Sequence, residues 1–159
     1  MELYLLRHGD AVQKEVDDSL RPLSHEGELE IAEAALYLGK RCPSIDFVFC
    51  SPLVRAKQSA EIVLKKVQAR ELIVHDSFGP GGNPALAITM LNANRPASAL
   101  IVGHEPYLGI LISLLAGGPK IAVSKGALAL VNCRLPVQPG KGSLAIYLTP
   151  REMNKIQNG

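Results

Sequence analysis

At 159 residues the chain has the length of one domain, and its 47% hydrophobic content is enough to bury a core. A net charge of +2, no Lys/Arg run, 4% aromatic residues and no tryptophan argue against a nucleic-acid partner, which would call for a basic stripe and stacking rings. No apolar segment approaches the ~18 residues of a membrane span, Met1-Glu2 opens directly into a short apolar run rather than a leader, and Cys42, Cys50 and Cys133 are odd in number with no Cys-x-x-Cys pair, so a cytoplasmic protein with reduced thiols is expected.

Leu3–Leu6, four consecutive apolar residues, read as a strand buried on both faces, and the run ends in Arg7-His8-Gly9. Ser24 is placed to cap a helix through about Arg41 with Leu29, Ala32 and Leu36 on its apolar side. The next strand is Asp46–Cys50. Ser51 then reads as a helix N-cap and Pro52 as a first helical residue, in a helix to about Val67 that puts Leu53, Ala56, Ala60, Leu64 and Val67 on one face. Leu72–His75 reads as another buried strand, and Phe78–Pro84 as a Gly/Pro-rich loop. A short helix follows over Pro84–Asn92, then a strand over Ala99–Val102 and a helix from Pro106 to about Ala116. Strands at Ala127–Cys133 and Ser143–Leu148 flank a turn-rich Pro136–Gly142 and are predicted to pair antiparallel, with a last helix after Pro150. Cys50 and Cys133 lie in strand runs and read as small core hydrophobes. Strands alternating with helices predict one α/β domain over residues 1–159, a mostly parallel sheet covered on both sides.

Open α/β sheets bind ligands at the carboxyl ends of their strands. Arg7 and His8 stand at such an end, and Gly9 allows close backbone approach. Arg55 falls early in a helix, near its positive end, where a cation is mildly unfavourable and a bound anion would explain it. Gly103-His104-Glu105-Pro106 closes a third strand. If the three strands are neighbours, Arg7, His8, Arg55 and His104 form a cup of two guanidiniums and two imidazoles suited to a phosphoryl group. A lone histidine at a strand end is more often structural, and a lone arginine in a first helical turn is usually solvated. Three placements at one edge favour function. His25, in a first helical turn, and His75 read as structural, and no His/Cys/Asp/Glu set recurs at metal spacing, so no metal is expected.

Arg7-His8-Gly9, Ser51-Pro52 followed by Arg55, and Gly103-His104 together resemble the histidine phosphatase superfamily over nearly the whole chain, Leu3 to about Leu148. The short length, Arg21-Pro22-Leu23-Ser24 and Val102-Gly103-His104-Glu105-Pro106 are similar to its small SixA-like branch, the phosphohistidine phosphatases. The resemblance implies a three-layer α/β/α sandwich with a mixed sheet of about six strands, the phosphoglycerate mutase-like fold without a lid insertion. It also implies His8 as nucleophile, Arg7, Arg55 and His104 as the phosphate-binding set, and no metal or cofactor. Gly9, Glu105 and Arg21 are candidates for substrate contact, although for Arg21 pairing with a nearby aspartate is the preferred reading.

The expected chemistry starts from a neutral His8, its pKa lowered by the Arg7 and Arg55 charges and its other ring nitrogen bonded to a backbone carbonyl. His8 would attack phosphorus and be phosphorylated, and water would then release phosphate. The general acid stays open between Asp10 and Glu105. Glu105 can instead cap the next helix, and Asp10, Asp17 and Asp18 can be simple loop charges. A lidless pocket without an obvious acid suits a phosphohistidine protein, for example a phosphotransfer domain, as the partner of a monomeric, metal-independent phosphatase. The alternatives are a small-molecule phosphomonoesterase of the same superfamily and a non-catalytic phosphoprotein-binding module, the latter disfavoured by the presence of His8.

Overall fold

The structure, a computed structural model, describes residues 1–13 and 17–159. In chain order it contains β1 (Glu2–Arg7), α1 (His25–Arg41), β2 (Ser44–Cys50), α2 (Val54–Leu64), β3 (Gln68–Val74), α3 (Pro84–Asn94), β4 (Ser98–Gly103), α4 (Tyr107–Ala116), β5 (Leu128–Asn132), β6 (Ser143–Leu148) and α5 (Pro150–Asn158). Short 3-10 turns occupy Asp18–Leu20 and Asp76–Phe78. The strands form one six-stranded sheet in the order β3-β2-β4-β1-β5-β6. The first four run parallel, whereas β5 is antiparallel to β1 and β6 to β5, as the turn-rich connection implies.

This register positions the site. Arg7 lies opposite Gly103, and Cys50 opposite Val102, so the carboxyl ends of β1, β2 and β4 share one edge. Because β5 runs the other way, with Leu128 opposite Leu6, the segment leading into β5 reaches the same edge.

Side chains alternate across the central strands, as the two-residue pleat requires. Leu3, Leu5, Phe49 and Ile101 pack on one face with Leu91 of α3 and Leu108, Leu111 and Leu115 of α4. Tyr4, Leu6, Leu100 and Val102 pack on the other with Ile31 and Leu38 of α1, Val63 of α2 and Met153 of α5. The result is the α/β/α sandwich, each fully buried side chain of this kind stabilising it by about 1.5–3 kcal/mol. Cys42, Cys50 and Cys133 are free and buried in these layers. Among the described residues no helix is long and apolar enough to cross a membrane.

Three expectations need correction. On α1 the buried residues are Gly27, Ile31, Ala34, Ala35 and Leu38, while Leu29 and Leu36 are 57% and 40% exposed. Both stripes have helical spacing, and a backbone contact chooses between them. A Cβ on Gly27 would lie 2.0 Å from the Asp10 carbonyl oxygen, and one on Gly9 2.3 Å from that of Gly27. Glycine at both positions lets α1 rest against the loop after β1, and this contact sets the rotation of the helix. β3 is also not a buried strand: it lies at the sheet edge, with Leu72 and Val74 each 44% exposed. Finally, α2 starts at Val54 and has Leu53 at its N-cap without a side-chain bond, so neither Ser51 nor Pro52 holds the place expected of it.

Candidate active site

From Arg7 to Asp10, every backbone group is bonded. Arg7 N–H donates to Ala127 O and His8 N–H to Gly103 O, while Gly126 N–H reaches both the Arg7 and His8 carbonyls. Gly9 N–H donates to Ser59 Oγ, Asp10 N–H to Glu30 Oε2, and Asp10 O accepts from Ser24 N–H. The remaining carbonyl, Gly9 O, lies 2.6 Å from His8 Nδ1. A segment with its polar groups so satisfied is rigid, and rigidity is what an attacking side chain needs.

A carbonyl oxygen only accepts, so Nδ1 carries the proton and Nε2 the lone pair. Arg55 Nε–H, 3.3 Å from Nε2, agrees with that tautomer. The ring of His104 lies 4.8 Å from that of His8, centroid to centroid. His104 Nε2 is 2.7 Å from Ser51 Oγ, which also accepts from Leu53 N–H. When the hydroxyl donates to Nε2, the proton of the neutral ring sits on Nδ1, which has no partner among the described residues. Arg7 Nη1 donates to Val123 O at 2.8 Å, and Arg7 Nε is buried without a partner among the described residues. Arg55 is gripped from the Asp18–Leu20 turn, Nη1 donating to Asp18 O at 2.7 Å and Nη2 pairing with Asp18 Oδ2 at 3.0 Å.

These groups line a cleft of ≈ 250 Å³ together with Gln13, Arg21, Pro80, Glu105 and Lys125. His8, Arg55 and His104 are 6%, 5% and 2% exposed. Burial pushes the His8 pKa down to about 4, helped by the Arg55 and Arg7 charges and opposed by the Gly9 bond. The sequence suggests the arginines as the cause, but loss of water is the larger one. His104 is lowered to about 3 by the same burial, with His8 and Arg55 adding to it. Both rings are therefore neutral near pH 7. Two cations, an unprotonated imidazole nitrogen and unpartnered N–H donors can together bind a tetrahedral oxyanion and present a nucleophile to its centre.

Arg7, His8, Arg55 and His104 thus converge as the strand-end argument requires. Arg21 lines the cleft and pairs with Asp18 at 3.0 Å, so both readings of it hold. Glu105 lines the cleft while its Oε1 accepts from Gly109 N–H in the first turn of α4. Gly9 does not line the cleft: its close approach is to Gly27, not to a ligand. Asp10 is tied to Lys125 and Ser24, and those bonds hold its carboxyl below the usual range. The Arg55 bond does the same for Asp18. His25 is exposed, and His75 caps the Asp76–Phe78 turn through Nδ1. Sequence reasoning missed Lys125 because it considered only the carboxyl ends of strands. An antiparallel neighbour brings the start of β5 to the same edge, and Ser124-Lys125-Gly126 ahead of that strand was the available signal.

A cleft with two guanidiniums and two neutral imidazoles at the carboxyl edge of an α/β sheet can receive a phosphoryl group, and likeness to known proteins supplies the class. The family model for the histidine phosphatase superfamily (branch 1) matches residues 3–79. Phosphohistidine phosphatase SixA of Escherichia coli K12 is 32% identical over 124 residues, which span 74% of this chain and 76% of that protein. The chain belongs to the histidine phosphatase superfamily. The solved structure of the protein histidine phosphatase SixA complexed with tungstate superposes with a TM-score of 0.87 at 29% identity, covering 95% of this chain and 98% of that one. The α-ribazole phosphatase of Shigella flexneri shares the fold at TM-score 0.69 and 18% identity, covering 94% and 97%.

Proposed function

We propose that this phosphatase removes phosphate from phosphohistidine in a protein, through a covalent phosphohistidine on His8. The observation that carries the reading is the His8 ring, bonded at Nδ1 to Gly9 O and kept neutral by burial, with Nε2 beside Arg55. Arg7, Arg55 and His104 would hold the phosphoryl oxygens and stabilise charge in an in-line transfer. Likeness to SixA, solved with the tetrahedral oxyanion tungstate, supports both the substrate class and the anion cup.

The Nε2 lone pair attacks phosphorus, and the substrate P–N bond breaks with its electron pair returning to the substrate imidazole. A phosphoimidazole protonated on its other nitrogen leaves as a neutral ring. One P–N bond is exchanged for another, and no acid need protonate the leaving group. Water then attacks the phosphoryl group, the second P–N pair returns to His8 as the Nε2 lone pair, and the product leaves as dihydrogen phosphate carrying both protons of that water. An alkyl ester would instead need a proton donor. Among the described residues the cleft carboxylates are engaged: Asp18 by Arg55 and Arg21, Glu105 by Gly109 N–H. That arrangement favours the phosphoamide over the phosphomonoester.

The test offers the protein and a His8→Ala variant a phosphorylated histidine phosphotransfer domain and a panel of phosphate esters. Phosphate release from the carrier, lost in the variant, is the expected result. Faster hydrolysis of the esters would move the assignment to a small-molecule phosphomonoesterase, and binding without release to a phosphoprotein-binding module.

A further inference from the structure

We propose that Glu30 is a positioning residue for His8, acting on it through the Gly9–Asp10 peptide group. The inference rests on the reading of His8 as the nucleophile. One peptide unit makes both bonds: its carbonyl, Gly9 O, meets His8 Nδ1 at 2.6 Å, and its N–H, from Asp10, meets Glu30 Oε2 at 2.7 Å. Hydrogen bonds in such a chain polarise one another, more strongly away from water. A negative carboxylate on the N–H makes the carbonyl a better acceptor, which draws on the Nδ1 proton and leaves more electron density at Nε2. The effect is that of a carboxylate bonded directly to an imidazole, relayed across a peptide.

The surroundings hold this relay in place. Glu30 sits on α1, whose rotation is set by the Gly9–Gly27 backbone contact. Gly126, at φ +66°, passes so near that a Cβ there would lie 2.8 Å from the Glu30 Cβ, and its N–H secures the Arg7 and His8 carbonyls. The Glu30 carboxyl is half-buried, and burial raises its pKa while the Asp10 N–H works against that rise. A charge kept partly from water, bonded to the peptide that orients His8, has more influence than one on an open surface.

Glutamine keeps an oxygen that can accept from Asp10 N–H but removes the charge, so Glu30→Gln separates relay from scaffold. The experiment measures phosphorylation of His8 by phosphoramidate at pH 8, where the carboxylate is ionised, with alkaline quenching. In that step the Nε2–P bond forms and the donor P–N bond breaks, releasing ammonia. Glu30→Gln is expected to slow phosphorylation roughly tenfold with the phosphoramidate KM unchanged, and Glu30→Ala to slow it further. The His8 Nδ1 proton resonance should move upfield in Glu30→Gln, while Glu28→Gln, on an exposed position of the same helix, should behave as wild type. A wild-type rate in Glu30→Gln, or a loss confined to KM, overturns the relay. Failure of the wild-type protein to phosphorylate His8 at all would instead overturn the nucleophile assignment. Glu30→Gln carries the test even if the alanine variant does not fold.

Discussion

Two helices begin beside the Arg7–Asp10 loop, each preceded by a serine, and they begin differently. Ser24 Oγ accepts from Gly27 N–H at 3.1 Å and caps α1 as its sequence implies. Ser51 leaves α2 without a side-chain cap on its first residues and lies 2.7 Å from His104 Nε2 instead. Arg55 then sits in the first turn of that uncapped helix, where a cation opposes the helix dipole. α1 follows local rules and contributes stability and orientation. α2 departs from them where its side chains are needed in the cleft, the pattern expected of a functional site.

The comparison can be broken at several points. The largest effect is expected at Arg55. Arg55→Ala should lower kcat/KM by roughly 10²–10³-fold, the usual cost of removing one donor to a transition-state oxyanion. Arg55→Lys should recover little, because an ammonium keeps the charge but not the planar fork that Asp18 orients. Wild-type kinetics in the lysine variant would show that the fork is not what the broken rule serves.

Acid should sharpen the same contrast, since the cleft holds two buried neutral imidazoles. His8 and His104 titrate near 4 and 3 in the folded protein, against 6.5 for an unperturbed ring. Between pH 6.5 and 4 the unfolded chain therefore binds protons that the folded chain does not. Stability is full above about pH 6.5 and falls as pH drops, by up to about 1.4 kcal/mol per pH unit for each imidazole. Urea unfolding across this range measures the slope. His8→Gln with His104→Gln should flatten it, and an unchanged slope would assign the acid sensitivity elsewhere.

The smallest effects come from the two serines and discriminate most finely. Ser24→Ala should cost about 1 kcal/mol of stability, as loss of a helix cap does. Ser51→Ala should cost about 1–3 kcal/mol as well, because it strands the buried His104 Nε2 and Leu53 N–H, and unlike Ser24→Ala it should also reduce turnover roughly tenfold by freeing the His104 ring. Equal turnover in the two variants would erase the distinction.

Much of the fold is legible in the order of residues alone. Apolar runs bounded by glycine, proline and charge locate the strands to within a few residues, and Ser24, Pro84 and Pro150 mark helix starts. Less legible is which way an element faces. Leu29 and Leu36 are as periodic as Ile31 and Leu38, so periodicity alone could not choose between them. Likewise the apolar run of β3 resembles that of β2, and only strand order reveals that one lies at the edge.

The same division runs through the site. Arg7, His8, Arg55 and His104 could be named from sequence because short-range chemistry at strand ends is written in adjacent residues. The supports of His8 could not, since Glu30, Ser59 and Gly126 reach its loop from α1, from α2 and from the segment before β5. The sequence by itself determined the layers, the positive sign of the cleft and which residues stand at the strand ends that form it. Tertiary structure alone decided the rotation of α1, the release of Ser51 from capping, the arrival of Lys125 and the burial that keeps both imidazoles neutral. Each of these depends on burial or contact between segments distant in the chain, and burial is a property that no local pattern of residues carries.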